Sequence, residues 1–291
     1  MNFLTVFANP LCELGEAPLW SNRRNSLFWL DILANRLYEK SFKSGLISEW
    51  NLPETVSSLA EDETGAEYLW LISKHCIAKF NLMISAYIPM VELPINAESR
   101  TNDGKVSPDG RYWFGTMLHE PLPEQGTVFS LGKDKTLRTE ISGIAIPNTF
   151  CWMPDGTVLI SDSLHQSCSR YKLDKDRTKI VSKIDFIDTS SSLGTPDGGA
   201  LDDNGNVWIA LWGAGKVSCF SPKGHLLSEI ELPIPQPSSC CFGGPDNNLL
   251  FITSARQGLL VEQLEAYPDS GKTFVIKLKV KGAAINRFTM D

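Results

Sequence analysis

The sequence predicts an all-β protein, a six-bladed β-propeller. Three observations lead there. A pattern recurs roughly every 40 to 50 residues, the length of one four-stranded blade. Each copy carries a turn rich in Asp, Asn and Gly. Long amphipathic helical stretches are missing from the sequence.

The six copies read, in order, LWSNRRNSLFWLDI from Leu19, LAEDETGAEYLWLIS from Leu59, VSPDGRYWFGTM from Val106, WMPDGTVLISDS from Trp152, LDDNGNVWIALW from Leu201 and FGGPDNNLLFITSA from Phe242. Each is a hairpin for a physical reason. Asp-Gly and Asn-Gly accept the positive φ of tight turns. The flanking Val, Ile, Trp and Phe suit a pleated surface buried on both sides. Two more strands follow in most copies. In the fourth, SCSRYKLD and KIVSKIDFID flank a turn at Lys175–Thr178; in the fifth, GKVSCFS and GHLLSEIEL flank Pro222–Lys223. Gly258–Ala266 is the one short helical candidate. Asn2–Ala8 lies outside the repeats, and its FLTVF run is expected to complete the last blade and close the ring, which removes two sheet edges. Residues 1–291 therefore read as one propeller domain. A pair of stacked sandwiches explains the even spacing less well.

Composition narrows the partners. The chain has 291 residues, and 27 Lys and Arg stand against 34 Asp and Glu, a net charge of -7. Nucleic acid and anionic membranes call for a basic face, so neither is an expected partner. No apolar run approaches the roughly 20 residues of a membrane span. The N-terminal MNFLTVFANPLCELGE lacks the basic start of a signal peptide. Seven cysteines, none in a CxxC pair, do not make a complete disulfide framework and sit mostly in apolar runs. These features point to the cytosol. His75, His119, His165 and His225 show no metal-ligand spacing and read as surface residues. No GxSxG, Walker or GxGxxG pattern is present.

Superposing the copies on their turn glycines exposes a polar slot. Eight residues before Gly110, Gly156 and Gly205 stand Asn102, Asn148 and Asp197. Aligning Trp20 with Trp152 adds Glu16; counting back from Gly65 adds Ser57; aligning Pro245 with Pro154 adds Ser239. The strand leading into each hairpin is the innermost one, so these six positions ring the central channel. Two carboxylates and two amides concentrate negative charge and oxygen donors, an environment suited to one divalent cation: Ca²⁺, Mg²⁺, Mn²⁺ or Zn²⁺. A wet, ligand-free channel would explain polarity alone but explains this mixture less well. Arg100, two residues before Asn102, is on the same side of its strand and offers a fork of donors for substrate oxygens.

At these residues the chain resembles the SMP-30/gluconolactonase/LRE-like family over almost its full length. The resemblance is carried by LGEAPLW around Glu16, RTNDGKVSPDGRYWFGTM from Arg100, PNTFCWMPDG around Asn148, ISDS at Ile160 and PDGGALDDNGNVWIALW from Pro196. It implies a divalent cation held by Glu16, Asn148 and Asp197, with Arg100, Asn102 and Glu120 contacting substrate and Asp197 also acting as the catalytic acid/base. The implied activity is hydrolysis of a sugar lactone by a monomer or small homo-oligomer. A metal-dependent esterase of phosphotriesterase type and a non-catalytic calcium- or ligand-binding propeller are the alternatives. Asn148-Thr149-Phe150 departs from the family's common Asn-Gly-Leu, so the backbone and channel width there are expected to differ.

Overall fold

Six four-stranded antiparallel sheets make up the computed structural model, which describes residues 3–175, 179–190 and 194–291. Blades 1 to 5 are simple meanders that begin with Gly15–Ser21, Val56–Glu61, Ser99–Val106, Pro147–Trp152 and Thr195–Leu201. Blade 6 runs Pro237–Gly243, Leu249–Ser254 and Thr273–Lys277, then takes its fourth strand from Thr5–Ala8. That strand pairs antiparallel with the third, Thr5 opposite Val275 and Val6 opposite Phe274. The closure expected from the leading FLTVF run is thus present, Asn2 lying outside the described residues. In blade 4 the outer strands are Ser167–Leu173 and Ile180–Asp188; the turn expected at Lys175–Thr178 falls mainly outside the described residues. The short helix is Val261–Ala266. No helix among the described residues is long and apolar enough to cross a membrane.

The six first strands touch one another in cyclic order and form the inner ring. Burial falls outward from it. In blade 1 every residue of Ser26–Asp31 is buried, whereas the outermost strand Ile47–Asn51 is largely exposed. This gradient is why the inner hairpins read as continuous apolar runs. The core is accordingly divided among the blade interfaces. Leu19, Phe28 and Leu30 of blade 1 meet Leu59, Leu69 and Leu71 of blade 2. Trp113 and Val128 of blade 3 meet Val158 and Ile160 of blade 4. Each fully buried Leu or Phe contributes about 1.5–3 kcal/mol, so every interface holds its neighbours in register.

All six inner strands carry a one-residue bulge at the same height. Glu16 pairs with Leu30 but Leu19 with Phe28; Asn148 pairs with Ser161 but Cys151 with Leu159; Pro196 pairs with Leu211 but Gly199 with Ile209. The other three strands shift at Thr101/Gly104, Val56/Ser58 and Pro237/Ser239. A bulge re-aims side chains, here those of the slot.

Beyond Lys277 the chain crosses the end of the ring opposite the slot. Gly282 bridges to Asp202, Ala283 N–H donates to Leu201 O at 2.9 Å, and Asn286 Nδ2 donates to Val106 O at 3.0 Å. Arg287 Nε lies 3.0 Å from Glu61 Oε2. Phe288 is fully buried, edge-on to Trp70 at 5.2 Å and tilted against Tyr112 at 5.5 Å. This strap ties blades 5, 3 and 2 together.

Candidate functional site

At the end of the channel where the inner strands begin lies a cavity of about 180 Å³. Glu16, Arg100, Asn102, Asn148 and Asp197 all line it, whereas Ser239, expected in the same slot, lines the cavity at the opposite end of the channel. Glu120 is elsewhere: it is exposed on the loop after Tyr112–Leu118, and its charge acts on His119, which also feels Arg100. All four histidines are exposed, and none lines the cavity.

A chain of hydrogen bonds locks three blades together along the wall. Arg100 Nη1 donates to Asn102 Oδ1 at 2.8 Å and to Thr101 O at 2.9 Å. Asn102 Nδ2 donates to Asn148 Oδ1 at 3.0 Å and to Pro147 O at 3.1 Å. Asn148 Nδ2 donates to Ser163 Oγ at 2.8 Å, and Ser163 Oγ donates to Pro196 O at 2.6 Å, beside Asp197. Ser57, the slot residue of blade 2, bonds Asn102 O at 2.6 Å and fixes the strand from the other side. The amide oxygen of Asn148 keeps a second lone pair free for a further partner.

Charge accumulates at this height. Burial, reinforced by the Asp103 carboxylate, pushes Glu16 up to about 8, against the Ala17 N–H at 2.8 Å and the Arg100 and Lys105 charges. Burial, then Glu16 and Asp103, hold Asp197 well above the ordinary carboxylate range. Burial also lowers Arg100, while Glu16 and Asp197 act to raise it. Carboxylates that disfavour each other's ionisation in this way are relieved by a cation between them. Among the described residues no group of three or more His, Cys, Asp or Glu stands ready as a metal cluster. The donor set is two carboxylates and an amide oxygen, a hard-cation set that fits the group expected from the sequence.

Thr149 occupies the position that departs from the family pattern. Its φ of +59° is the left-handed region, unusual for a β-branched residue and free of strain for glycine. Two bonds hold it there. Its N–H donates to Asp103 Oδ2 at 3.0 Å, and its hydroxyl donates to the carbonyl of Asp197. Thr149 thus ties the backbone of blade 5 to that of blade 4 beside the slot.

Sequence reasoning passed over Met117, Ser163 and Trp212, which also line the cavity. Each stands seven residues after its blade's turn glycine, at Gly110, Gly156 and Gly205. The counting that found the slot, carried forward instead of back, reaches them.

Residues 14–256 match the family described as SMP-30/Gluconolactonase/LRE-like region. The chain belongs to this family. Among its relatives, a 6-deoxy-6-sulfogluconolactonase of Pseudomonas putida is 33% identical over 273 residues, covering 93% of both chains. Regucalcin of Gallus gallus is 31% identical over 278 residues, again 93% of each. A solved structure of regucalcin, a calcium-binding protein from Agrobacterium tumefaciens, superposes with a TM-score of 0.93 at 28% identity, covering 98% of this chain and 97% of that one. Among family members, then, this chain resembles both a protein named for a lactone and one named for calcium.

Proposed function

We propose that this family member hydrolyses a sugar lactone to the open-chain acid in the axial cavity. The observation that carries the reading is the convergence of Glu16, Asn148 and Asp197 with Arg100 and Asn102 on one cavity, in a chain 33% identical to a sulfogluconolactonase. Glu16, Asn148 and Asp197 would hold a divalent cation, Ca²⁺, Mg²⁺, Mn²⁺ or Zn²⁺, which when bound supplies Lewis acidity toward a carbonyl. Arg100 and Asn102 orient the ring through its oxygens, and Glu120 contributes from the exposed loop beyond the cavity. Asp197 takes the proton of the attacking water and returns it to the ring oxygen as the C–O bond opens. The seven cysteines are all free and buried, which fits a reducing compartment such as the cytosol.

The test is a lactone panel followed by proton release, using protein stripped of divalent ions and then reconstituted. Chelation is expected to abolish turnover, with one of the four cations restoring it; full turnover in rigorously metal-free protein would overturn the mechanism. A second reading, cation binding without catalysis, is favoured by the likeness to calcium-binding regucalcin. Stoichiometric cation binding with no turnover on any lactone would select it.

A further inference from the structure

The channel holds a second cavity, of about 330 Å³, that shares no lining residue with the first. It lies where the inner strands end, and the strap residues Ala283–Asn286 form part of its wall. The volume is at the lower end of the range for small-molecule pockets. Leu19, Leu59, Phe150, Leu201 and Phe242 supply an apolar lining from five blades. The Cys151, Cys240 and Cys241 thiols beside them are kept protonated by burial and act as further apolar surface.

Into this apolar space projects one cation, Lys105. Its ammonium crosses from blade 3 to donate to the carbonyl of Gly199 in blade 5. Among the described residues it takes part in no ion pair. Asp103, the other charged residue of the wall, attracts Lys105 through space without an ion-pair contact, and its carboxylate accepts from Gly104 N–H at 2.8 Å, from Thr149 N–H at 3.0 Å and from Phe150 N–H. An ammonium with one carbonyl partner and no carboxylate in direct contact has donors to spare for an anion that enters the cavity.

We propose that this cavity is a binding site for a small amphipathic monoanion, a carboxylate with an alkyl or aryl body. The carboxylate meets Lys105 and the body fills the apolar wall beneath the strap. The site is separate from the axial cavity, and the proposal stands whether or not that cavity hydrolyses lactones.

Calorimetric titration of the full chain with sodium octanoate and with octan-1-ol tests it, each run with and without saturating Ca²⁺. Octanoate is expected to bind one to one, at least about tenfold more tightly than the alcohol, because the charge-assisted bond is lost in the latter. Ca²⁺ should leave the one-to-one stoichiometry unchanged, because the two cavities share no lining residue. Lys105→Met should bring octanoate down to the affinity of the alcohol, and Ala283→Phe, which adds bulk on the strap, should weaken both. If Lys105→Met fails to fold by circular dichroism, the wild-type ratio and Ala283→Phe decide. The proposal is overturned by no saturable binding of octanoate, by equal affinity for acid and alcohol, by octanoate selectivity that survives Lys105→Met, or by affinity that survives Ala283→Phe.

Discussion

The two ends of the channel are built from the same six strands, yet they are opposites. Glu16, Asn148 and Asp197 lie toward the strand beginnings, where polar groups bond one another from blade to blade. Leu59, Phe150 and Phe242 lie toward the strand ends, where side chains pack and the strap closes over them. The shared bulge marks the boundary: on one side it aims oxygen donors at the axis, on the other it returns the strands to ordinary alternation. A propeller can thus keep charge and apolar volume within one channel by allotting them to different halves of each strand. The polar end should be sensitive in chemistry, the apolar end in stability.

The largest effect should come at the polar end. Asp197→Asn keeps the shape and a neutral oxygen donor but removes the proton acceptor. Turnover with saturating cation is expected to fall about 10²–10⁴-fold while the thermal transition stays close to wild type. Most of the wild-type turnover in the cation-loaded variant would leave Asp197 at most a ligand. The matching experiment at the other end is Phe288→Ala. Removing this ring from between Trp70 and Tyr112 should cost about 3–5 kcal/mol in urea unfolding, with residual folded protein still active. Loss of turnover without loss of stability would break the comparison.

Arg100→Lys is next. The charge stays, but the planar guanidinium, whose Nη1 alone serves both Thr101 O and Asn102 Oδ1, loses its remaining donors for substrate oxygens. Losing one charged hydrogen bond to substrate corresponds to about 10–100-fold in kcat/KM. Cation affinity measured by calorimetry should move far less. Unchanged kinetics would place Arg100 outside substrate contact. The smallest effect is expected at the boundary itself. Thr149→Val retains the left-handed strain and loses the hydroxyl that bonds the Asp197 carbonyl, a destabilisation of about 1–2 kcal/mol. Thr149→Gly loses the same bond but relieves the backbone, so its denaturation midpoint should lie above that of the valine variant.

Much of this was legible from residue order, for a specific reason. Counting eight residues back from a turn glycine succeeds only if every inner strand has the same irregularities, and all six carry the same one-residue bulge. Blade 6, aligned on Pro245 instead of a turn glycine, shows the failure: Ser239 lines the opposite cavity. The bulge itself leaves no trace in the counting because it is common to all copies. Glu120 shows the limit from the other side: it belongs to a connecting loop, where spacing from a turn says nothing about position. The strap was equally opaque. GAAINRF has neither strand alternation nor a turn pattern, and its course is set by Phe288 finding a gap between two blades. Lys105 was visible as an inner-strand residue, but a flexible side chain reaching blade 5 is a tertiary event.

The pairing of Thr5–Ala8 with Thr273–Lys277 has a consequence for how the molecule comes into being. A nascent chain can assemble blades 1 to 5 as each meander leaves the ribosome, since their contacts are local. Thr5–Ala8 must wait for Thr273–Lys277, so joining the circle is the longest-range event on the folding route and is expected to come late. Until then Thr273–Lys277 offers an open edge, to which the Thr5–Ala8 strand of a neighbouring chain adds only where it competes with the high effective concentration of the chain's own strand. Protein concentration during refolding therefore bears on whether each circle joins to itself or to its neighbour.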